Sequence, residues 1–236
     1  MQAVEAMRQA QVFFLFDKGA SKQRLGQVRR DLCERYATPD AYRIVEVLNP
    51  ERELLPGQVY EASVHEVNDE RQALFERLLL DELGEGECGA YLVWGDPGLY
   101  DSTLRILQAI VAGGRVALDY EVIPGITSVQ ALAARHKVPL NSIGGALQIT
   151  TGRRLESEGW PAGVDDLLVM LDSRDAFEVL QGASLDIYWG AYLGLPEEVL
   201  ISGPLEQVAG HIREARQQAR ARHGWIMDCY LLKRRH

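Results

Sequence analysis

The chain has 236 residues, 47% hydrophobic and 25% charged, the make-up of a globular protein long enough for one large domain or two small ones. A formal net charge of -9 and a sequence pI near 5.1 argue against generalised binding to nucleic acid or membrane surfaces. The three cysteines, Cys33, Cys88 and Cys229, form no CxxC or metal-ligand spacing, and their odd number fits a reducing cytoplasm.

Residues 1–10 read as a helix, with Val4, Met7 and Ala10 at three-residue spacing. This start has neither a basic stretch nor the apolar run of a secretory leader. The wholly apolar Val12-Phe13-Phe14-Leu15-Phe16 reads as a strand covered on both faces. A helix over 21–36 follows, with Leu25, Val28, Leu32 and Tyr36 on its apolar stripe. Then come a strand near 42–48, a helix near 58–82, a strand over 90–94, a helix near 101–112 and a strand near 116–123. Strand and helix alternate with short connections, so the fold class is α/β, a parallel sheet with helices on both faces.

The rhythm changes after Gly125. A helix through Val129–Ala134 leads to strands near 146–151, 166–171, 184–190, 197–202 and 225–232, with one long helix near 205–221. Strands outnumber helices here, so the expectation is a second α/β domain with a mixed sheet. The two domains are placed at 1–122 and 123–236. No apolar run approaches the ~18 residues of a membrane span.

Gly84-Glu85-Gly86-Glu87-Cys88-Gly89 matches G-x-G-x-x-G by letter. A helix precedes it and a strand follows, the reverse of a dinucleotide site, so it reads as a helix end and turn. More telling are two strand–turn–helix junctions about 30 residues apart, Gly95-Asp96-Pro97 and Pro124-Gly125-Ile126-Thr127-Ser128. Asp and Pro at a helix start can be capping devices and nothing more. Paired at the ends of neighbouring parallel strands, such corners also build ligand crevices. A helix N-terminus suits a carboxylate, while Asp96 suits an ammonium or hydroxyl group. The pair therefore fits a zwitterionic, ribose-bearing ligand better than a triphosphate.

Arg153 and Arg154, after Thr151-Gly152, are read at a strand end as two guanidinium forks for carboxylates, or else as a solvated edge. The stretch Ile187–Pro196 mixes large aromatics with glycines, which suits a core or an apolar wall for a flat ring. The five histidines show no metal spacing, so no metal is expected, and no residue stands out as catalytic.

These segments together resemble the tetrapyrrole (corrin/porphyrin) methylases that use S-adenosylmethionine. The resemblance is carried by Val12–Gly19, Trp94–Leu107, Val122–Ala133, Ile149–Arg154 and Ile187–Gly194, and spans essentially the whole chain. The G-D-P and P-G-I-T-S elements mark the family. D-K-G, Y-D-S-T-L-R-I-L, T-T-G-R-R and Y-W-G-A-Y-L-G mark the branch that methylates C-1 of precorrin-5 and releases acetate in aerobic cobalamin biosynthesis.

The resemblance implies two α/β domains with the donor in the cleft between them. It implies donor contacts at Gly95, Asp96, Leu99, Thr127 and Ser128, and adenine-side contacts at Trp189 and Gly194. Arg153 and Arg154 would meet the carboxylates of the tetrapyrrole substrate. No metal, nucleic acid or membrane is implied, and homodimers are usual in the family. Family members begin with a strand and a glycine-rich loop ahead of the first helix of this chain, so one strand of the first sheet is expected to be missing. Two alternatives follow: a methyltransferase of this fold acting on another substrate, or a donor-binding protein inactive for want of that strand.

Overall fold

A computed structural model describes residues 1–17, 23–48 and 60–235. The D-K-G mark lies mostly outside them, at Lys18 and Gly19. Internal contacts divide the chain into two units, Met1–Gly125 and Ile126–His236.

In the first unit α1 (Gln2–Gln9) precedes β1 (Val12–Asp17), α2 (Gln23–Tyr36), β2 (Arg43–Leu48), α3 (Tyr60–Glu82), β3 (Gly89–Tyr91) and α4 (Thr103–Gly113). The sheet order among the described residues is β2-β1-β3, all parallel. The central position of β1 explains its unbroken apolar run: Val12, Phe13, Phe14 and Leu15 are all buried. Phe13 packs under α1 and α2 with Met7, Cys33 and Ala37. Its neighbours Val12 and Phe14 face the other way, onto Leu78 of α3. There Phe14, Tyr91 and Phe75 stack in sequence, with ring centroids 4.8 Å and 4.7 Å apart. Each such pair adds about 0.5–1.5 kcal/mol beyond its area burial.

Three expectations for this unit are corrected. The buried face of α2 runs through Arg29 and Cys33 and on to Ala37 just past its end, whereas Leu32 of the predicted stripe is 39% exposed. Small side chains at 33 and 37 let the helix lie close to the sheet, and Arg29 enters by donating from Nη1 to the Phe16 carbonyl at 3.0 Å. Strand β3 spans three residues, not five. Residues 116–123 keep the alternation of a strand, with Val116 and Leu118 packed on the α3–α4 core. Among the described residues, however, no strand pairs with them. An alternating pattern creates a buried face, but a ladder also needs a neighbour to receive its hydrogen bonds.

The second unit begins with α5 (Ser128–His136) and continues through β4 (Leu147–Thr151), α6 (Gly152–Glu158), β5 (Asp166–Met170), a 3-10 turn (Ala176–Leu180), β6 (Leu185–Ala191), β7 (Val199–Pro204), α7 (Leu205–His223) and β8 (Asp228–Arg234). Its sheet is mixed, in the order β4-β5-β8-β6-β7. The β4–β5 pair is parallel, while β8 runs antiparallel to both its neighbours. Leu167, Leu168, Ile187, Leu231 and Leu232 are fully buried. Gly190 and Cys229 face α5: a Cβ on Gly190 would lie 2.8 Å from Leu132 Cδ1, so only glycine admits the helix this close. The adjacent Trp189, Asp228 and Tyr230 point to the opposite face, toward α7.

Candidate functional site

In the first unit the chain leaves β3, turns at Gly95 and enters α4 only at Thr103. Gly95 has φ +97°, and a Cβ there would meet no atom within 4 Å, so its backbone is left-handed and open to approach. Asp96 shapes the corner: its Oδ1 accepts from the Gly98 amide at 2.8 Å and its carbonyl accepts from the Leu99 amide at 3.1 Å. Asp96 does not cap α4, whose N-cap is Ser102; the first amide of the helix, Thr103, donates to Asp101 Oδ1 at 2.7 Å. Between Asp96 and Asp101, Tyr100 is held at φ +56°. Arg71 of α3 anchors the far side by donating to Ser102 Oγ. Burial pulls the Arg71 guanidinium below its ordinary pKa, opposed by the charge of Asp101.

In the second unit Thr127 and Gln130 form a reciprocal capping box at the start of α5. The Thr127 hydroxyl and amide are therefore engaged by their own helix. The Ser128 carbonyl accepts from Cys229 Sγ at 3.9 Å. At the other end of α5, Arg135 pairs with Glu198 at 2.7 Å, and Glu198 also accepts from the Gly194 amide at 2.9 Å. Burial raises the pKa of Glu198, but Arg135 and the Gly194 amide outweigh it and hold the carboxyl below its ordinary range. Gly194 has φ +82° with open space where a Cβ would stand. The structure thus ties the Gly194 turn to one end of α5, with Thr127 and Ser128 at the other.

Trp189 takes the core position that the sequence allows for the aromatics of this stretch. Its indole is fully buried and donates from Nε1 to Asp228 Oδ2 at 2.7 Å, while His136 Nε2 lies 3.0 Å from its carbonyl oxygen. At this position, implied as an adenine-side contact, the side chain thus lies in the core with its indole engaged by Asp228.

Arg153 and Arg154 are also relocated. Strand β4 ends at Thr151, and both arginines lie exposed in the first turn of α6. Arg154 pairs with Glu158 at 2.8 Å, one helical turn on. Arg153 lines a cavity of about 100 Å³ with Gly152, Glu156 and Leu171–Arg174.

That cavity exposes features the sequence reading passed over. Leu171 sits at φ +53° with 62% of its surface exposed, and Asp175 sits at φ +58°. A bulky residue in the left-handed region costs about 1–2 kcal/mol and persists only where its surroundings enforce it. Here Asp172 accepts from the Arg174 and Ala176 amides and from the Tyr230 hydroxyl, at 3.0, 2.8 and 2.8 Å. Arg216 of α7, 2% exposed, pairs with Asp228 and Asp175 and lies 3.9 Å from Asp172. Burial pulls its pKa down, but the three aspartates outweigh burial and hold the guanidinium above its ordinary value.

Among the described residues, no group of three or more His, Cys, Asp or Glu side chains could hold a metal ion.

An open glycine corner after a parallel strand, joined in one chain to a mixed-sheet unit with a second open glycine turn, is an architecture with known relatives. The chain belongs to the tetrapyrrole (corrin/porphyrin) methylases, whose family profile matches residues 1–209. It is 48% identical to the precorrin-6A synthase (deacetylating) of Sinorhizobium sp over 234 residues, 99% of this chain and 89% of the relative. Among solved structures it is similar to a cobalamin synthesis related protein from Corynebacterium diphtheriae. That match has TM-score 0.81 and 34% identity, covering 99% of this chain and 91% of that one. A uroporphyrin-III C-methyl transferase from Thermus thermophilus, complexed with S-adenosyl homocysteine, shares the fold at TM-score 0.54 and 16% identity, with 98% and 89% covered. No described helix is long and apolar enough to cross a membrane.

Proposed function

We propose that this chain is a precorrin-6A synthase: an S-adenosylmethionine-dependent C-methyltransferase that converts precorrin-5 to precorrin-6A, with methylation at C-1 and release of acetate. The observation that carries this reading is the 48% identity to the Sinorhizobium enzyme, maintained along 99% of the chain. We assign the donor to Gly95, Asp96 and Leu99 of the first unit and to Thr127, Ser128 and Gly194 of the second. Trp189 supports the last of these from within the core.

The two glycine corners support the assignment, because each presents backbone with no side chain in front of it. The free Asp96 oxygen offers an acceptor beside Gly95, suited to a hydroxyl or ammonium group. When bound, the donor supplies an electrophilic methyl carbon on sulfonium sulfur. The chain's own part is to hold that carbon in line with the nucleophilic ring carbon, which makes alignment the main catalytic contribution. Arg153 receives a substrate carboxylate as a bidentate partner. We assign the protein to the cytoplasm, with the tetrapyrrole as its small-molecule partner and a homodimer as its assembly.

The test is turnover of precorrin-5 with S-adenosylmethionine, reading S-adenosylhomocysteine, acetate and product mass together. Methyl transfer to another precorrin without acetate release would assign the chain to a different reaction of the same family. A second reading, donor binding without turnover, draws on residues 116–123 lying outside the first sheet. Calorimetric binding of S-adenosylhomocysteine with no product would favour it.

A further inference from the structure

The first unit's corner and the glycine turn at Gly194 are accounted for by the donor reading. The Leu171–Ala176 segment and the charges beneath it are not. An apolar side chain mostly in water on a left-handed backbone contributes nothing to the core. The cluster under it is an expensive way to stabilise a fold, since apolar residues of similar volume usually do as well as a buried ion group. What the cluster does is connect. Arg216 reaches Asp175 at the start of the 3-10 turn and Asp228 at the start of β8, and lies near Asp172 at the end of β5. Asp228 passes the connection to Trp189 on β6, three residues before the Tyr192–Leu195 turn that contains Gly194. Tyr230 closes the loop onto Asp172. These elements end at the same side of the sheet, where Gly152 abuts Asp172 and Arg153 lines the cavity.

We propose that Arg216 is a positioning residue for the ligand-binding edge of the second unit. Through Asp175, Asp172 and Asp228 it fixes the strained Leu171–Ala176 turn and the end of β6 in the geometry that the methyl donor requires. The proposal rests on the donor reading above and assigns Arg216 no contact with any ligand. The planar guanidinium is needed because one group must satisfy acceptors in several directions at fixed angles, which an ammonium cannot do.

The experiment measures S-adenosylhomocysteine binding by calorimetry and donor kinetics for the full chain and for Asp175→Asn, Arg216→Lys and Arg216→Met. Asparagine tolerates the left-handed backbone at 175, so Asp175→Asn reduces the tie to the turn from an ion pair to a hydrogen bond onto a neutral acceptor, with the fold retained. Its expected effect is a roughly tenfold rise in Kd and in donor KM, with kcat at saturating donor within about twofold, as a sub-ångström displacement of a binding edge produces. Arg216→Lys should raise Kd and donor KM in the same direction as Asp175→Asn, while Arg216→Met, which leaves three carboxylates without their counter-charge, serves as the stability control read by its melting curve. If Asp175→Asn and Arg216→Lys bind like wild type while melting at lower temperature, the network is structural and the proposal falls. If wild type itself does not bind S-adenosylhomocysteine, the donor reading falls and takes the positioning role with it.

Discussion

Gly152 begins α6 and is the point where that helix meets the end of β5. An alanine Cβ there would lie 2.6 Å from Asp172 Cβ and 2.7 Å from its Cα and Cγ. Asp172 cannot yield easily, because its carboxylate holds two backbone amides and the Tyr230 hydroxyl. Forced overpacking costs about 1–3 kcal/mol, and one displaced Asp172 hydrogen bond adds about 1 kcal/mol. Against this, alanine recovers about 0.4–1 kcal/mol by restricting the unfolded chain. The balance for Gly152→Ala is a loss of roughly 2 kcal/mol, or about 10 °C in the melting temperature of a domain of this size. Thermal unfolding followed by circular dichroism measures it directly. A melting temperature equal to or above wild type, the usual result of Gly→Ala in a helix, would refute the close approach and the rigidity assigned to Asp172.

Three further outcomes are expected. Asp96→Ala should raise the Kd for S-adenosylhomocysteine about tenfold while costing only about 1 kcal/mol of stability, the worth of its hydrogen bond to Gly98; unchanged affinity would remove Asp96 from the donor site. Arg153→Ala should raise the KM for the tetrapyrrole, whereas Arg154→Ala, whose guanidinium pairs with Glu158 on the exposed face of α6, should leave KM nearly unchanged; the reverse order would exchange their roles. Burial pushes the Cys33 thiol up to about 11 and the Cys229 thiol up to about 12. Both stay protonated at pH 8, so a thiolate-selective disulfide reagent should label Cys88, the exposed cysteine, rapidly and the other two only on unfolding; fast labelling of two or three thiols in the native protein would contradict the burial.

Local pattern carried the fold wherever neighbours in sequence decide it. The apolar run at Val12–Phe16 reads directly as a strand covered on both faces, and most strands and helices of both units follow the hydrophobic alternation, the helix α6 excepted. The failures are non-local. Leu32 has the spacing of a buried residue, but Arg29 and the small Cys33 won the face because the Phe16 carbonyl lies within reach. Residues 116–123 have a strand's alternation, yet pairing depends on a neighbour that alternation does not reveal. For Trp189 the sequence leaves a core and an apolar wall open. Its partner, Asp228, lies 39 positions on, and only folding shows that the indole is already committed. The corners at Gly95 and Gly194 were legible because glycine signals an unusual backbone. Leu171 and Asp175 take such a backbone without glycine, enforced by side chains spread from 172 to 230, and no spacing rule points to them.

Strand β8 lies at the centre of the mixed sheet although it is the latest strand in the described chain. Until β8 is made, β4–β5 and β6–β7 have no shared partner between them, and their inner edges have nothing in this sheet to pair with. Closing them joins residues far apart in sequence, an ordering that slows folding and leaves sticky intermediates. Nascent-chain stalling short of Asp228 should therefore yield a species that chaperones retain, and a premature stop there would delete the keystone, not trim an end.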